Sequence, residues 1–167
     1  METTLEYPTH SDNMSENAFA ESILNQRQSL YRLALSMLHN QAQAEDAVAE
    51  TIYRAYAGRH RLRKPDKLKA WLFQILVNQC RSQLRKKSRE IQLEELLQEP
   101  SESEPQYGLW ELVQQLPDNQ QSVIVLYYYE GYSIREIAKL LKLSEGNVRT
   151  RMSRGREKLK QWLEKSV

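Results

Sequence analysis

The 167-residue chain has a single cysteine, Cys80, so no disulfide can close within it and there is no thiolate cluster to hold zinc. Its three histidines, His10, His39 and His60, stand far apart without ligand spacing, and no metal site is expected. Glycine and proline number five each and β-branched runs are few, so helical periodicity extends through almost the whole length. The expected fold class is all-α. No apolar run approaches the ~20 residues of a bilayer span, and the amino terminus lacks a basic stretch followed by an apolar one. A cytoplasmic protein with no membrane insertion is expected. Also missing are a Gly-rich phosphate loop, a His pair with a carboxylate at ligand spacing, and a Ser or Cys in a nucleophile setting. These gaps argue against an enzyme, a cofactor and a small-molecule substrate. Apolar packing alone must hold the framework, and 40% hydrophobic residues suffice for it.

What the chain does have is charge of both signs, sharply segregated. Residues 1–50 carry two basic against eight acidic side chains, residues 51–89 twelve against one, residues 90–118 none against eight, and residues 131–167 ten against four. Two basic blocks are thus separated by an acidic one. A solvated surface accounts for the amount of charge but not for its segregation, which points to polyanionic partners for the basic blocks.

Residues 1–13 show no periodicity and read as a disordered tail. A helix from about Met14 to Leu38 carries Phe19, Ile23, Leu30, Ala34 and Met37 at helical spacing, and a second from about Gln43 to Ala57 is stopped by Gly58. The basic loop from Arg59 to Asp66 leads into a third helix, about Asp66 to Lys87, so residues 14–88 are predicted as a three-helix domain. Residues 89–106 are Glu-rich, with Pro100 and Pro105 around a Ser-Glu-Ser-Glu run. They bury too little apolar surface to offset the entropy of ordering and read as a flexible acidic linker, with a partial helix at Ile91–Leu97. The second domain, residues 107–167, is predicted to hold four helices: Tyr107–Leu116, Asp118–Glu130 stopped by Gly131, and a helix-turn-helix over 134–155.

The helix-turn-helix follows from its parts. Ser133 and Glu136 form a capping box, placing a helix start near Ile134, and Ile134, Ile137, Ala138 and Leu141 form its apolar register. Ser144 caps a second helix that keeps Val148, Met152, Leu159 and Leu163 on one stripe. Lys142 occupies the turn position where a left-handed backbone favours glycine, at a cost of about 1 kcal/mol. Taken alone, this is either a hairpin with a solvated basic face or a reader of the DNA major groove; the two caps, the register and the polar row together favour the reader. Arg149, Thr150, Ser153 and Arg154, with Ser144 and Asn147 at the helix start, are the residues expected at base edges or adjacent phosphates of a duplex. Arg151, Arg156, Lys158 and Lys160 are expected at phosphates or in solvent.

The other basic block combines Arg59, Arg61, Arg63 and Lys64 on the loop with Arg81 and Arg85 along the third helix. Cations at a helix C-terminus are favourable in any case, but a loop this basic beside Trp71 and Asn78 also suits a strand whose bases have left the stack. Trp71 by itself reads better as core than as a base platform. On the second helix Glu45, Asp46, Glu50 and Arg54 form a polar face, which taken alone is an ordinary surface with an internal Glu50–Arg54 pair.

Three segments carry a resemblance. Ala44–Tyr56 (AEDAVAETIYRAY) is similar to the core-polymerase-binding helix of small two-domain bacterial sigma factors, the extracytoplasmic-function group of the sigma-70 family. Lys69–Lys86 (KAWLFQILVNQCRSQLRK) resembles that group's promoter-melting helix, and Leu116–Ala138 (LPDNQQSVIVLYYYEGYSIREIA) resembles the approach to its helix-turn-helix. The resemblance implies a factor that binds core RNA polymerase through Glu45, Asp46, Glu50 and Arg54. It implies that the second domain binds promoter DNA at the minus-thirty-five element while the first captures and opens the minus-ten element. It also admits an anti-sigma factor as a further partner. The competing expectation is a stand-alone helix-turn-helix regulator whose first domain is a sensor or dimerisation module.

Overall fold

The computed structural model describes residues 15–94 and 108–165, and every regular element among them is a helix. The first module contains α1 (Glu16–Asn25), α2 (Arg27–Leu38), α3 (Gln41–Ala57) and α4 (Leu68–Glu94). The second contains α5 (Leu109–Gln114), α6 (Asp118–Ile124), α7 (Ile134–Leu141) and α8 (Glu145–Lys165). The expected tail, and the linker beyond residue 94, lie outside the described residues.

In the first module Ser15 caps α1 by accepting from the Ala18 amide, and Asn40 caps α3 by accepting from the Gln43 amide at 2.9 Å. The single helix expected from Met14 to Leu38 divides at Gln26, whose amide turns back to the Ile23 carbonyl at 3.0 Å and tightens the last turn of α1. α3 and α4 pack on α2 through Leu30, Leu33, Ala47, Leu72 and Leu76, all fully buried. Each large apolar side chain enclosed this way contributes about 1.5–3 kcal/mol. Two 3-10 turns, Arg59–Arg61 and Pro65–Lys67, carry the basic loop from α3 to α4. α4 runs through Glu94, past the linker start expected at residue 89, because no proline or glycine interrupts the stretch after Lys87. The first residues of the expected partial helix, Ile91–Glu94, therefore belong to α4.

In the second module α6 continues into a π-helical turn over Val125–Tyr129, closed by the Glu130 amide on the Val125 carbonyl at 3.1 Å. Gly131, at φ +73°, then reverses the chain where a side chain would be strained. The widened turn departs from the plain helix expected over Asp118–Glu130 and brings Glu130 inward while Tyr127 and Tyr128 stay exposed. α8 crosses α6 at Gly155, where a Cβ would lie 3.1 Å from Ile124 Cγ1, so the backbones meet as closely as glycine allows.

The modules are not separate. α2 packs on α6 and the π turn, and α4 on α7. The Phe73 and Tyr132 rings meet at 5.5 Å between centroids, and His39 Nε2 lies 2.5 Å from Asp118 Oδ1.

Candidate nucleic-acid interface

The helix-turn-helix forms as its sequence requires. Ser133 Oγ accepts from the Glu136 amide at 3.1 Å while Glu136 Oε2 accepts from the Ser133 amide at 2.8 Å, completing the capping box. Lys142 adopts the left-handed conformation at φ 55°, and its amide and that of Leu143 both donate to the Ala138 carbonyl. Ser144 Oγ accepts from the Asn147 amide at 3.0 Å and starts α8.

On α8 the core takes Val148, Met152, Gly155 and Leu159. At about 100° per residue, Thr150 then points directly away from that core, with Ser153 beside it toward the Arg149 flank. Arg149 lies on one flank with Arg156, and Asn147 and Arg154 lie on the other with Arg151. Arg149, Thr150, Ser153 and Arg154 are all exposed, so the expected reading row is one continuous surface. Two neighbours shape it: Arg151 Nε donates to Asn147 Oδ1 at 2.9 Å, and Arg149 Nη2 pairs with Glu145 Oε2 at 3.4 Å. Leu163, expected on the buried stripe, is 45% exposed and edges an apolar groove with Leu109, Tyr128 and Leu159.

In the first module Arg61, Trp71 and Asn78 come together around a cavity of about 490 Å³, joined by Tyr53, Arg54 and His60. Trp71 is half-buried: one side approaches Phe19 at 6.4 Å between centroids and the other lines the cavity, so it serves the core and the site at once. Arg59 does not join. Its guanidinium stacks on Tyr56 at 4.5 Å and donates to the Tyr56 carbonyl. Arg63, Lys64 and Arg85 stay exposed outside the cavity, whereas Arg81 donates to the Leu141 carbonyl at the end of α7. Sequence reasoning missed Tyr53, which is 69% exposed, and His60. The available signal was a tyrosine one position before Arg54 on a helix whose core residues are already accounted for. Asp46, Glu50 and Arg54 follow one another around the outer side of α3, where Arg54 Nε pairs with Glu50 Oε1 at 2.8 Å, whereas Glu45 lies half a turn from Arg54, beside Val48, Ala49 and Ile52. Arg54 thus stands between the polar face and the basic cavity.

Two family descriptions match the chain: "Sigma-70 region 2" over residues 23–90 and "Sigma-70, region 4" over residues 108–159. The ECF RNA polymerase sigma factor SigW of Bacillus subtilis is 30% identical, covering 89% of this chain and 90% of that protein. The chain belongs to the extracytoplasmic-function sigma factors. Another such factor, SigM of Bacillus subtilis, is 31% identical over 78% of this chain and 86% of its own. Among solved structures, the sigma factor RpoE from Bartonella quintana, in complex with the anti-sigma factor NepR, matches with a TM-score of 0.72 at 29% identity, over 87% of this chain and 96% of that one. CnrH, solved with the cytosolic domain of CnrY, matches at 0.62 and 26% identity, over 94% and 93%.

Sigma factors are non-catalytic initiation factors, and this one directs core RNA polymerase in promoter recognition and transcription initiation. A stand-alone regulator would have no use for a region 2 fold, so that alternative falls. No helix among the described residues is long and apolar enough to cross a membrane.

Proposed function

We propose that the sigma factor divides its work between the two modules. α8 enters the major groove of the minus-thirty-five element, with Arg149, Thr150, Ser153 and Arg154 at base edges or adjacent phosphates and Ser144 and Asn147 at the helix start. The basic cavity of the first module receives a base of the opened minus-ten strand between Trp71 and Tyr53. Arg61 and Asn78 line that cavity, and Arg59, Arg63, Lys64, Arg81 and Arg85 attract the phosphates around it. Glu45, Asp46, Glu50 and Arg54 dock on core polymerase. Residues 14–88 and 107–167 are the working domains, and the acidic stretch 89–106, helical as far as Glu94, is the tether.

The observation that carries this reading is one chain holding both an exposed Arg/Thr/Ser row on a capped recognition helix and a basic cavity with an aromatic wall. Catalysis belongs to the polymerase, so the chain works as a cytoplasmic, non-enzymatic factor without a cofactor. An anti-sigma partner is part of the proposal. It is supported by the RpoE neighbour, solved with one bound, and by the apolar groove that Leu109, Tyr128, Leu159 and Leu163 leave open. Run-off transcription from a promoter pool with purified core polymerase tests the assignment. Arg149→Ala and Arg154→Ala should change the selected upstream sequence, and Tyr53→Ala should lower opening while leaving that sequence alone. An unchanged upstream preference in both arginine variants overturns the placement of the reading row.

A further inference from the structure

Glu145 is the one acid among residues 145–156, a stretch that also holds Arg149, Arg151, Arg154 and Arg156. It stands in the first turn of α8, the part of a recognition helix whose side chains meet base edges. The helix dipole favours an acid there, but Ser144 already caps the helix through the Asn147 amide, and a carboxylate brought among phosphates weakens binding unless it meets a donor. Its Oε2 lies 3.4 Å from Arg149 Nη2, with the two side chains 46% and 61% exposed. In water an i,i+4 pair this exposed contributes little, so the fold gives no strong reason for it. Both residues lie on the flank of α8 that Arg156 shares, and Gly146 lies between that flank and Thr150. A Cβ at Gly146 would meet nothing within 4 Å, so the space beside the pair is open to a partner.

We propose that Glu145 and Arg149 together read one C·G base pair of the upstream element, Glu145 accepting from the cytosine N4 amino group and Arg149 donating to O6 and N7 of the guanine paired with it. The proposal rests on the placement of α8 in the major groove given above. In that groove a C·G pair presents one donor and then two acceptors, N4, O6 and N7 in that order. A carboxylate beside a guanidinium offers the matching series, one acceptor and then several donors. The bond to Glu145 takes one guanidinium N–H group of the five and leaves enough for a bidentate contact with guanine.

The other base pairs fit this series less well. An A·T pair places its donor, N6, between the acceptors N7 and O4, so the carboxylate would have an acceptor on either side and Arg149 would find one acceptor instead of two. The reversed pair, G·C, exchanges the two ends and sets the carboxylate against O6 and N7. Arg149 alone would take guanine from either strand. Glu145 decides the strand, which makes it a specificity-determining residue that the basic row by itself does not reveal.

Selection from duplexes randomised over the upstream element, bound by the full chain with core polymerase, tests this. At the position where Arg149→Ala relaxes preference, wild type should favour C·G over G·C by about tenfold. Glu145→Ala should reduce that ratio to about twofold or less at the same position while still preferring guanine on one strand or the other. It should also bind unrelated duplex about threefold more tightly, since one carboxylate no longer repels phosphates. Replacing the selected guanine by 7-deazaguanine, which lacks N7, should weaken wild type by about tenfold and leave Arg149→Ala unaffected. A Glu145→Ala protein that keeps the wild-type ratio, or that alters a different position, overturns the proposal while leaving the reading row in place. Arg149→Ala and Arg154→Ala proteins that keep every upstream preference overturn the row and the proposal with it.

Discussion

Gly155 sets how closely the recognition helix can lie on its support, and adding one methyl group there probes that packing directly. In Gly155→Ala the new Cβ would lie 3.1 Å from Ile124 Cγ1, 3.4 Å from Ile124 Cδ1 and 3.5 Å from Gln120 Cβ. Only the contact to Ile124 Cγ1 is tight, and Ile124 is 2% exposed in the core, with little room to move. Two effects oppose. Replacing glycine by alanine inside a helix gains about 1 kcal/mol, whereas overpacking a well-filled core costs about 1–3 kcal/mol. The crowding should win, leaving a net destabilisation of about 0–2 kcal/mol. Ile124→Ala removes the crowding Cγ1 and its neighbour Cδ1, at its own cost of about 2–5 kcal/mol. In that background Gly155→Ala should become stabilising by about 1 kcal/mol or more, because the helix gain remains and the methyl group fills space. Thermal unfolding of the four proteins measures this, at about 2–4 °C per kcal/mol for a chain of this size. A Gly155→Ala protein that melts higher than wild type, or the same effect in both backgrounds, refutes the reasoning.

Three further outcomes are expected. Arg149→Ala and Arg154→Ala should each relax base preference by about 1–3 kcal/mol at one upstream position, whereas Lys160→Ala should weaken binding to all sequences and flatten the salt dependence by about 0.9 in log–log slope; selection and titration at several salt concentrations separate the two. Lys142→Gly should stabilise by about 1 kcal/mol in thermal unfolding by relieving the φ 55° turn, and a lower melting temperature would show that Lys142 makes a compensating contact. Burial pushes the Cys80 thiol up from 9.0 to about 12, so stability tied to it is complete below pH 9 and is lost as pH rises from 9 toward 12. A Cys80→Ala protein should show a smaller loss of stability over that window, and native wild type should resist thiol reagents at pH 8.

The helix-turn-helix was legible because its determinants are local: a serine three residues before a glutamate, an apolar register, and a second serine at the next helix start each specify a bond within one turn. The exposure of Arg149, Thr150, Ser153 and Arg154 was legible for the same reason, since 3.6-residue periodicity assigns faces once the buried stripe is known. What escaped depends on tertiary contacts. Nothing around Gln26 marks a break, and the π turn at Val125–Tyr129 serves to position Glu130, whose partner Arg32 lies 98 residues away. Gly155 carries no signal in the sequence, and its role as a close-packing point shows only with Ile124 opposite it. The cavity was half visible: Arg61, Trp71 and Asn78 stood out as basic, aromatic and polar, while Tyr53 and His60 acquired meaning only when α3 was laid beside α4. Arg59 and Arg81, alike to their neighbours in sequence, were diverted by Tyr56 and by the end of α7.

The account stands most directly on whether this chain works as part of the polymerase. Immobilised protein should retain purified core RNA polymerase, and salt-resistant binding to a promoter fragment should occur only when both are present. A chain that leaves core polymerase unbound, yet holds the same promoter fragment equally well alone, would contradict it.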